Sequence, residues 1–241
     1  MFRRLVNGLM DIIYPRRCLA CKNKIAFGAI DNLVCDPCWA KVEKNTPPFC
    51  HGCGRRLDKK SIRKNICPSC QKSWPSFDRA FSPCVYTGVV KELIHEFKYR
   101  GKDHLGLPLS RLMIDFIREY NLPMQYIDLV VPVPLHAAKL RQREFNQAEV
   151  LALHIAREFK KEPMIDLLRR TRHTRTQTEL EPRERILNVK NSFSVEKKSA
   201  VKGANILLID DVLTTGATSS EASGVLKKEG ANIVFVLTLA N

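Results

Sequence analysis

Read for the spacing of its apolar positions, the chain changes character near residue 72. Beyond that point, apolar residues recur at helical spacing twice in succession. Val90, Leu93, Ile94 and Phe97 make one face, and Leu109, Leu112, Met113, Phe116, Ile117 and Tyr120 make another. The segment "IDLVVPVPL" predicts a buried strand over residues 127–131, ending at Pro132 and Pro134. A helix with Ala148, Leu151, Ala152, Ile155 and Phe159 on one face follows. "ANILLIDD" reads as a second buried strand, residues 219–229 as a helix closed by Gly230, and "NIVFVLTLA" as a third strand. Continuous apolar strands alternating with amphipathic helices indicate an α/β domain, a mainly parallel sheet with flanking helices. Ligands collect at the carboxyl ends of strands in such sheets, where Asp210, Asp211 and residues 132–136 stand.

Before residue 72 the order is of another kind. Large apolar residues are sparse, and eight of the nine cysteines fall into four C-x2-C pairs: Cys18 with Cys21, Cys35 with Cys38, Cys50 with Cys53, and Cys67 with Cys70. Thirteen residues separate the first pair from the second, and thirteen again separate the third from the fourth. A C-x2-C turn places two thiolates on one ion, and two turns complete a tetrahedral shell with no open position for water. Two structural zinc ions are therefore expected, in place of a core that this region cannot build. One ion per repeat is the simpler closure, but an interleaved arrangement of Cys18/Cys21 with Cys50/Cys53 satisfies the same chemistry. His51 reads as an exposed loop residue, and Cys84, outside the pattern, as a small core residue. Leu5, Leu9, Ile12 and Ile13 predict a short amphipathic helix packed on the protein. The expected organisation is a double zinc ribbon with that helix over residues 1–72, a junction in "KSWPSFDRA", and the α/β domain over 78–241.

Composition narrows the partners. Among 241 residues, 40 basic against 25 acidic side chains give a net charge of +15, which favours phosphorylated metabolites, nucleic acid or an acidic protein surface. No apolar run is long enough to span a membrane. The amino terminus has a basic start and an apolar middle, but Asn7 and Asp11 interrupt it and no small-residue cleavage site follows, which excludes a signal peptide. Nine cysteines without a secretory signal point to reduced thiols and a cytoplasmic protein.

The chemistry concentrates in "ILLIDDVLTTGAT", residues 206–218. Thr214, Thr215, Gly216, Ala217 and Thr218 form a turn entering a helix, where free backbone N–H groups and the helix dipole suit a phosphate. The threonine hydroxyls add donors, and Gly216 permits close backbone approach. The G-K-[ST] ending of a nucleotide P-loop is missing, which disfavours a triphosphate. Asp210 and Asp211, just ahead, suit the vicinal hydroxyls of a phosphorylated sugar, directly or through Mg²⁺.

This stretch resembles the phosphoribosyl pyrophosphate (PRPP) motif of type I phosphoribosyltransferases. The resemblance implies that Asp210 and Asp211 hold the ribose hydroxyls and that residues 214–218 hold the 5-phosphate. "VVPVPLH" is similar to that family's pyrophosphate loop, which would comprise Val133, Pro134, Leu135 and His136. Residues 170–193 resemble its mobile loop. The four cysteine pairs followed by "FKYRG", "VVPVPLH", "REFNQ" and the PRPP motif occur in this order in the ComF family, associated with DNA uptake during bacterial competence. One departure is visible. Glu144 stands where that family usually has glycine, a change that strains the backbone if φ is positive there and is harmless at a helix start.

The implied reaction is displacement at the anomeric carbon of PRPP, with Mg²⁺ bridging pyrophosphate oxygens. Lys98, Arg100, Arg143, Arg172 and Arg175 are candidate contacts for the leaving group. The acceptor is not specified. Glutamine hydrolysis is disfavoured, because the chain begins Met-Phe-Arg and its cysteines are occupied by the zinc pattern. The alternative is a non-catalytic module that holds PRPP as a regulatory ligand, while its zinc ribbons engage single-stranded DNA or a competence helicase. Family analogy adds a homodimer.

Overall fold

The computed structural model of the protein describes residues 16–25, 32–99, 101–172 and 182–241. The expected amino-terminal helix lies outside the described residues.

Each zinc ribbon is a knuckle followed by a short helix. In the first, the Lys22 N–H donates to the Cys18 carbonyl (2.8 Å); in the second, the Gly54 N–H donates to that of Cys50 (3.0 Å). Both bonds require a left-handed residue four positions after the leading cysteine. Lys22 has φ 63° and Gly54 has φ 68°. The second pair of each set opens a helix, α1 (Asp36–Trp39) and α2 (Pro68–Lys72), each with proline in its first turn. Proline suits that position because its missing N–H would have had no helical partner.

The stretch expected to be only a junction ends in a strand, β1 (Arg79–Phe81). Helices α3 (Gly88–Tyr99) and α4 (Gly106–Glu119) follow, then β2 (Leu129–Pro132), α5 (Ala137–Arg143) and α6 (Gln147–Phe159). Two short strands, β3 (Glu162–Pro163) and β4 (Leu168–Arg170), precede α7 (Pro182–Val189), β5 (Phe193–Val195) and α8 (Lys198–Val201). The chain closes with β6 (Asn205–Val212), α9 (Ala217–Lys228) and β7 (Ile233–Ala240). Helix α9 begins two residues before the expected start, and β2 lies slightly later than its prediction.

The main sheet has the order β1-β7-β6-β2-β3, and every pairing in it is parallel. Both faces are covered, so its strands are apolar throughout instead of alternating. Leu207, Ile209, Leu237 and Leu239 face the side packed by Leu93 of α3, Met113 of α4 and Ile155 of α6. Ile206, Leu208, Val234 and Val236 face Leu226 of α9 and the antiparallel pair β4–β5, including Leu168 and Val195.

The ribbons are packed into this fold. Cys18, Val34 and Cys38 belong to the same buried cluster as Leu93. Lys22 reaches the buried Glu96 of α3 at 2.6 Å. The buried Asn45 side chain, from the segment joining the ribbons, donates to the carbonyls of Gly54 and Ser82, each at 3.0 Å. Cys84 is buried and lies in neither thiol cluster. Burial pushes its thiol up to about 12, so it is a packed, unreactive group.

Candidate functional site

The eight paired cysteines form two groups, Cys18/Cys21/Cys35/Cys38 and Cys50/Cys53/Cys67/Cys70, with the ligand atoms of each within 4.8 Å of one another. The pairing is sequential, and the interleaved arrangement is excluded. Cys21 and Cys35 sulfurs are 3.7 Å apart, and those of Cys53 and Cys67 are 3.6 Å apart. A tetrahedron with Zn–S bonds of about 2.3 Å has edges of roughly 3.8 Å, so zinc fits both groups. The backbone supports thiolate charge. Cys35 N–H points to the Cys18 sulfur (3.4 Å), and Cys67 N–H to that of Cys50 (3.3 Å). Burial pushes the Cys18 thiol up, but the N–H groups of Cys21, Cys35 and Ala20 outweigh it and hold it at about 6. His51 is exposed and belongs to neither group.

A second site lies at the carboxyl ends of β2 and β6, in a cleft of about 370 Å³. Asp210, Asp211, Lys98, Arg143, Thr214 and Thr218 line it, with Val133, Pro134 and Leu135 from the loop after β2. Register places Pro132 beside Ile209 and Asp210 beside Thr238, so the acids emerge where three strands end. Asp210 accepts the Asp211 N–H at 2.8 Å. Burial pushes the Asp210 carboxyl up, aided by the neighbouring Asp211, to about 7. Lys98, on the last turn of α3, meets Asp211 at 2.7 Å. Burial works against its charge, but Asp211 and Asp210 together hold the ammonium above its ordinary range.

The "REFNQ" segment builds the opposite wall. Asn146 caps α6 by accepting the Ala148 N–H (3.2 Å), and its amide donates to the Val133 carbonyl (3.1 Å), tying the loop after β2 to the helix. Gln147, buried, donates to the Phe97 carbonyl at 3.2 Å and accepts from Arg143 at 3.0 Å. The Arg143 guanidinium also lies 5.0 Å from the Tyr99 ring centre, so it is aimed into the cleft from two sides. Glu144 next to it ends α5 with φ 69°, so it occupies the left-handed region and not a helix start.

Among the predicted leaving-group contacts, Lys98 and Arg143 share the cleft, and Arg172 does not. Its guanidinium donates to the Lys190 carbonyl at 3.0 Å. Arg100 and Arg175 lie outside the described residues. His136 caps α5 by accepting the Ala138 N–H at 3.2 Å and lines an adjoining depression with Leu168 and Arg170. Lining residues outside the predicted site include Lys91, Lys139, Tyr86 and Tyr99, while Arg170 opens the segment that resembles the mobile loop. Arg170 ends β4 with its guanidinium 5.3 Å from the Phe193 ring centre. Five cations against two acids give the cleft a net positive charge, which suits an anion that also offers donors to the acids.

At the mouth, Gly216 has φ 75° and precedes α9, while Thr215 accepts the Ala217 N–H at 3.4 Å. The helix ladder closes on the turn itself, with the Ser220 N–H donating to the Gly216 carbonyl at 2.8 Å.

The double zinc ribbon domain family matches residues 9–71, and the phosphoribosyl transferase domain family matches residues 146–241. Competence protein F of Haemophilus influenzae is 29% identical over 227 residues, covering 93% of this chain and 96% of that protein. DNA utilization protein YhgH of Escherichia coli K12 is 29% identical with the same coverage. Competence protein ComFC of Bacillus subtilis is 30% identical over 209 residues, covering 83% of this chain and 80% of that protein. No helix among the described residues is long and apolar enough to cross a membrane.

Proposed function

The chain belongs to the ComF family, and from that premise we propose that it binds PRPP in the cleft and serves DNA uptake as a phosphoribosyltransferase. The observation that carries this reading is the meeting of Asp210 and Asp211 with a cationic wall and a hydroxylated, glycine-containing turn in one cleft. Asp210 and Asp211 accept from the ribose hydroxyls. The turn at residues 214–218 receives the 5-phosphate. Lys98, Arg143 and Arg170 face the pyrophosphate. The reaction forms a bond from an acceptor nucleophile to the anomeric carbon as the bond to pyrophosphate breaks. The protein contributes positioning and fixed charge where positive charge develops on the ring and negative charge on the leaving group. Asp210 and Asp211 would hold Mg²⁺ directly or through water, and the ion would supply further neutralisation of the pyrophosphate.

Calorimetric titration tests the reading. PRPP should bind with Mg²⁺ to the wild type and fail to bind Asp210→Asn/Asp211→Asn. Equal binding by that variant would remove the acids from the site.

A second reading has its own observation. Residues 50–74 contain seven basic side chains and one acid, and Trp74 among them is 52% exposed. Exposed cations with an aromatic platform suit single-stranded DNA, and the same face suits an acidic surface on a competence helicase. In this reading PRPP is regulatory and the protein is a binding module. Salt-dependent DNA binding retained by Asp210→Asn/Asp211→Asn would support it.

A further inference from the structure

The turn at residues 214–218 is bordered by the second zinc ribbon as well as by its own half of the chain. Arg55 ends the knuckle that carries Cys50 and Cys53. Its carbonyl accepts the Cys50 N–H at 2.8 Å, and its guanidinium donates to the Thr214 carbonyl at 3.2 Å. The knuckle is seated firmly. The Gly52 carbonyl accepts the Ala80 N–H at 2.7 Å, and a Cβ on Gly54 would fall 2.3 Å from the Ala80 carbonyl. The connector beneath is pinned to α9, with the Ser76 N–H donating to the Ser220 hydroxyl at 2.9 Å. Phe77, 2% exposed, lies 3.9 Å from where a Gly216 Cβ would be. Ribbon, connector and turn therefore form one packed corner.

Residues 212–220 read VLTTGATSS and contain no basic side chain. A phosphomonoester bound there receives N–H and hydroxyl donors from its own segment, but no cation. Arg55 spends one of five guanidinium N–H groups on the Thr214 carbonyl and makes no other side-chain hydrogen bond among the described residues, which leaves donors to meet an anion. We propose that Arg55 is a residue of the 5-phosphate site, so that the second zinc ribbon supplies the cation which the phosphate turn lacks. The proposal rests on the reading of residues 214–218 as a phosphate site.

The test titrates PRPP, ribose 5-phosphate and pyrophosphate into wild type, Arg55→Ala, Arg55→Lys and Arg56→Ala, with zinc content measured on each sample. A charge-assisted contact of this kind predicts that Arg55→Ala weakens PRPP and ribose 5-phosphate about tenfold or more, leaves pyrophosphate affinity unchanged and keeps its zinc. Arg55→Lys should recover part of the loss, and Arg56→Ala should match the wild type. Unchanged PRPP affinity in Arg55→Ala overturns the proposal and leaves the PRPP reading standing. Parallel loss of pyrophosphate affinity also overturns it, because a packing role weakens both ends of the ligand. Absence of PRPP binding in the wild type overturns both.

Discussion

In the central sheet, β6 sends Leu207 and Ile209 into one buried cluster and Ile206 and Leu208 into another. In the second ribbon, over residues 50–70, Leu57 is the one large aliphatic side chain buried with the cysteines. A buried leucine contributes about 2–3 kcal/mol, while ordering each residue costs roughly 1 kcal/mol or more. A segment of about twenty residues cannot hold its shape on that leucine, so thiolate–metal bonds must supply the difference. The first ribbon stands between these cases, because Cys18, Val34 and Cys38 share the cluster of Leu93 on α3. What distinguishes the regions is whether local structure is fixed by a metal, by apolar burial, or by both.

Removing the metal tests this most severely. Chelation should abolish hydrogen-exchange protection across residues 50–70, a change of many orders of magnitude, while β6 and β7 amides stay protected. Cys50→Ser should loosen the second ribbon and the connector and turn packed on it, whereas Cys18→Ser should loosen α3 through the shared cluster. Simultaneous loss of protection in ribbons and sheet would break the comparison, making the whole chain one cooperative unit.

The same contrast explains what could be read from residue order. Strands β2, β6 and β7 were legible because a sheet covered on both faces writes an unbroken apolar run. The thiol groups were legible because metal geometry demands fixed local spacing, and the sequential grouping is the simpler of the two closures which that spacing allows. Strand β1 carried no such mark. Its three residues are a strand because Arg79, Ala80 and Phe81 pair with Phe235, Val236 and Leu237, far along the chain. In the cleft, the acids and the turn form one contiguous segment with recognisable chemistry. Lys91 and Lys139 do not, since nothing local separates them from the other basic residues among forty. Arg172 shows the converse: a basic residue in a suggestive segment whose guanidinium is directed to the Lys190 carbonyl.

The sheet half also carries a destabilising element that the ribbons lack, a pair of adjacent acids at a strand end. Lys98 offsets it, with the Lys98 side chain 18% and that of Asp211 13% exposed. Lys98→Met should cost about 3 kcal/mol in urea unfolding, because it leaves two neighbouring carboxylates without that ammonium. Lys98→Met/Asp211→Asn should recover much of the loss. An equal loss in both variants would show that the loss does not come from leaving the Asp211 carboxylate uncompensated.

The smallest effect separates backbone strain from side-chain chemistry within the site. Glu144 ends α5 at φ 69° and ψ −26°, its N–H donating to the Leu140 carbonyl at 2.8 Å. A Cβ is unfavourable in that region, and glycine removes the conflict while keeping the backbone bond. Gly54 shows the same rule inside the second ribbon, where positive φ coincides with a carbonyl too near for any side chain. Glu144 has room, so it is tolerated, and its exposed carboxylate lies against Gly101 at 3.3 Å from an added Cβ. Glu144→Gly should therefore stabilise the protein by about 1 kcal/mol, raising Tm by roughly 2–4 °C in calorimetry. A lower Tm would mean that the carboxylate's contact with the segment after α3 outweighs the strain, and Glu144→Gln would then fall with it.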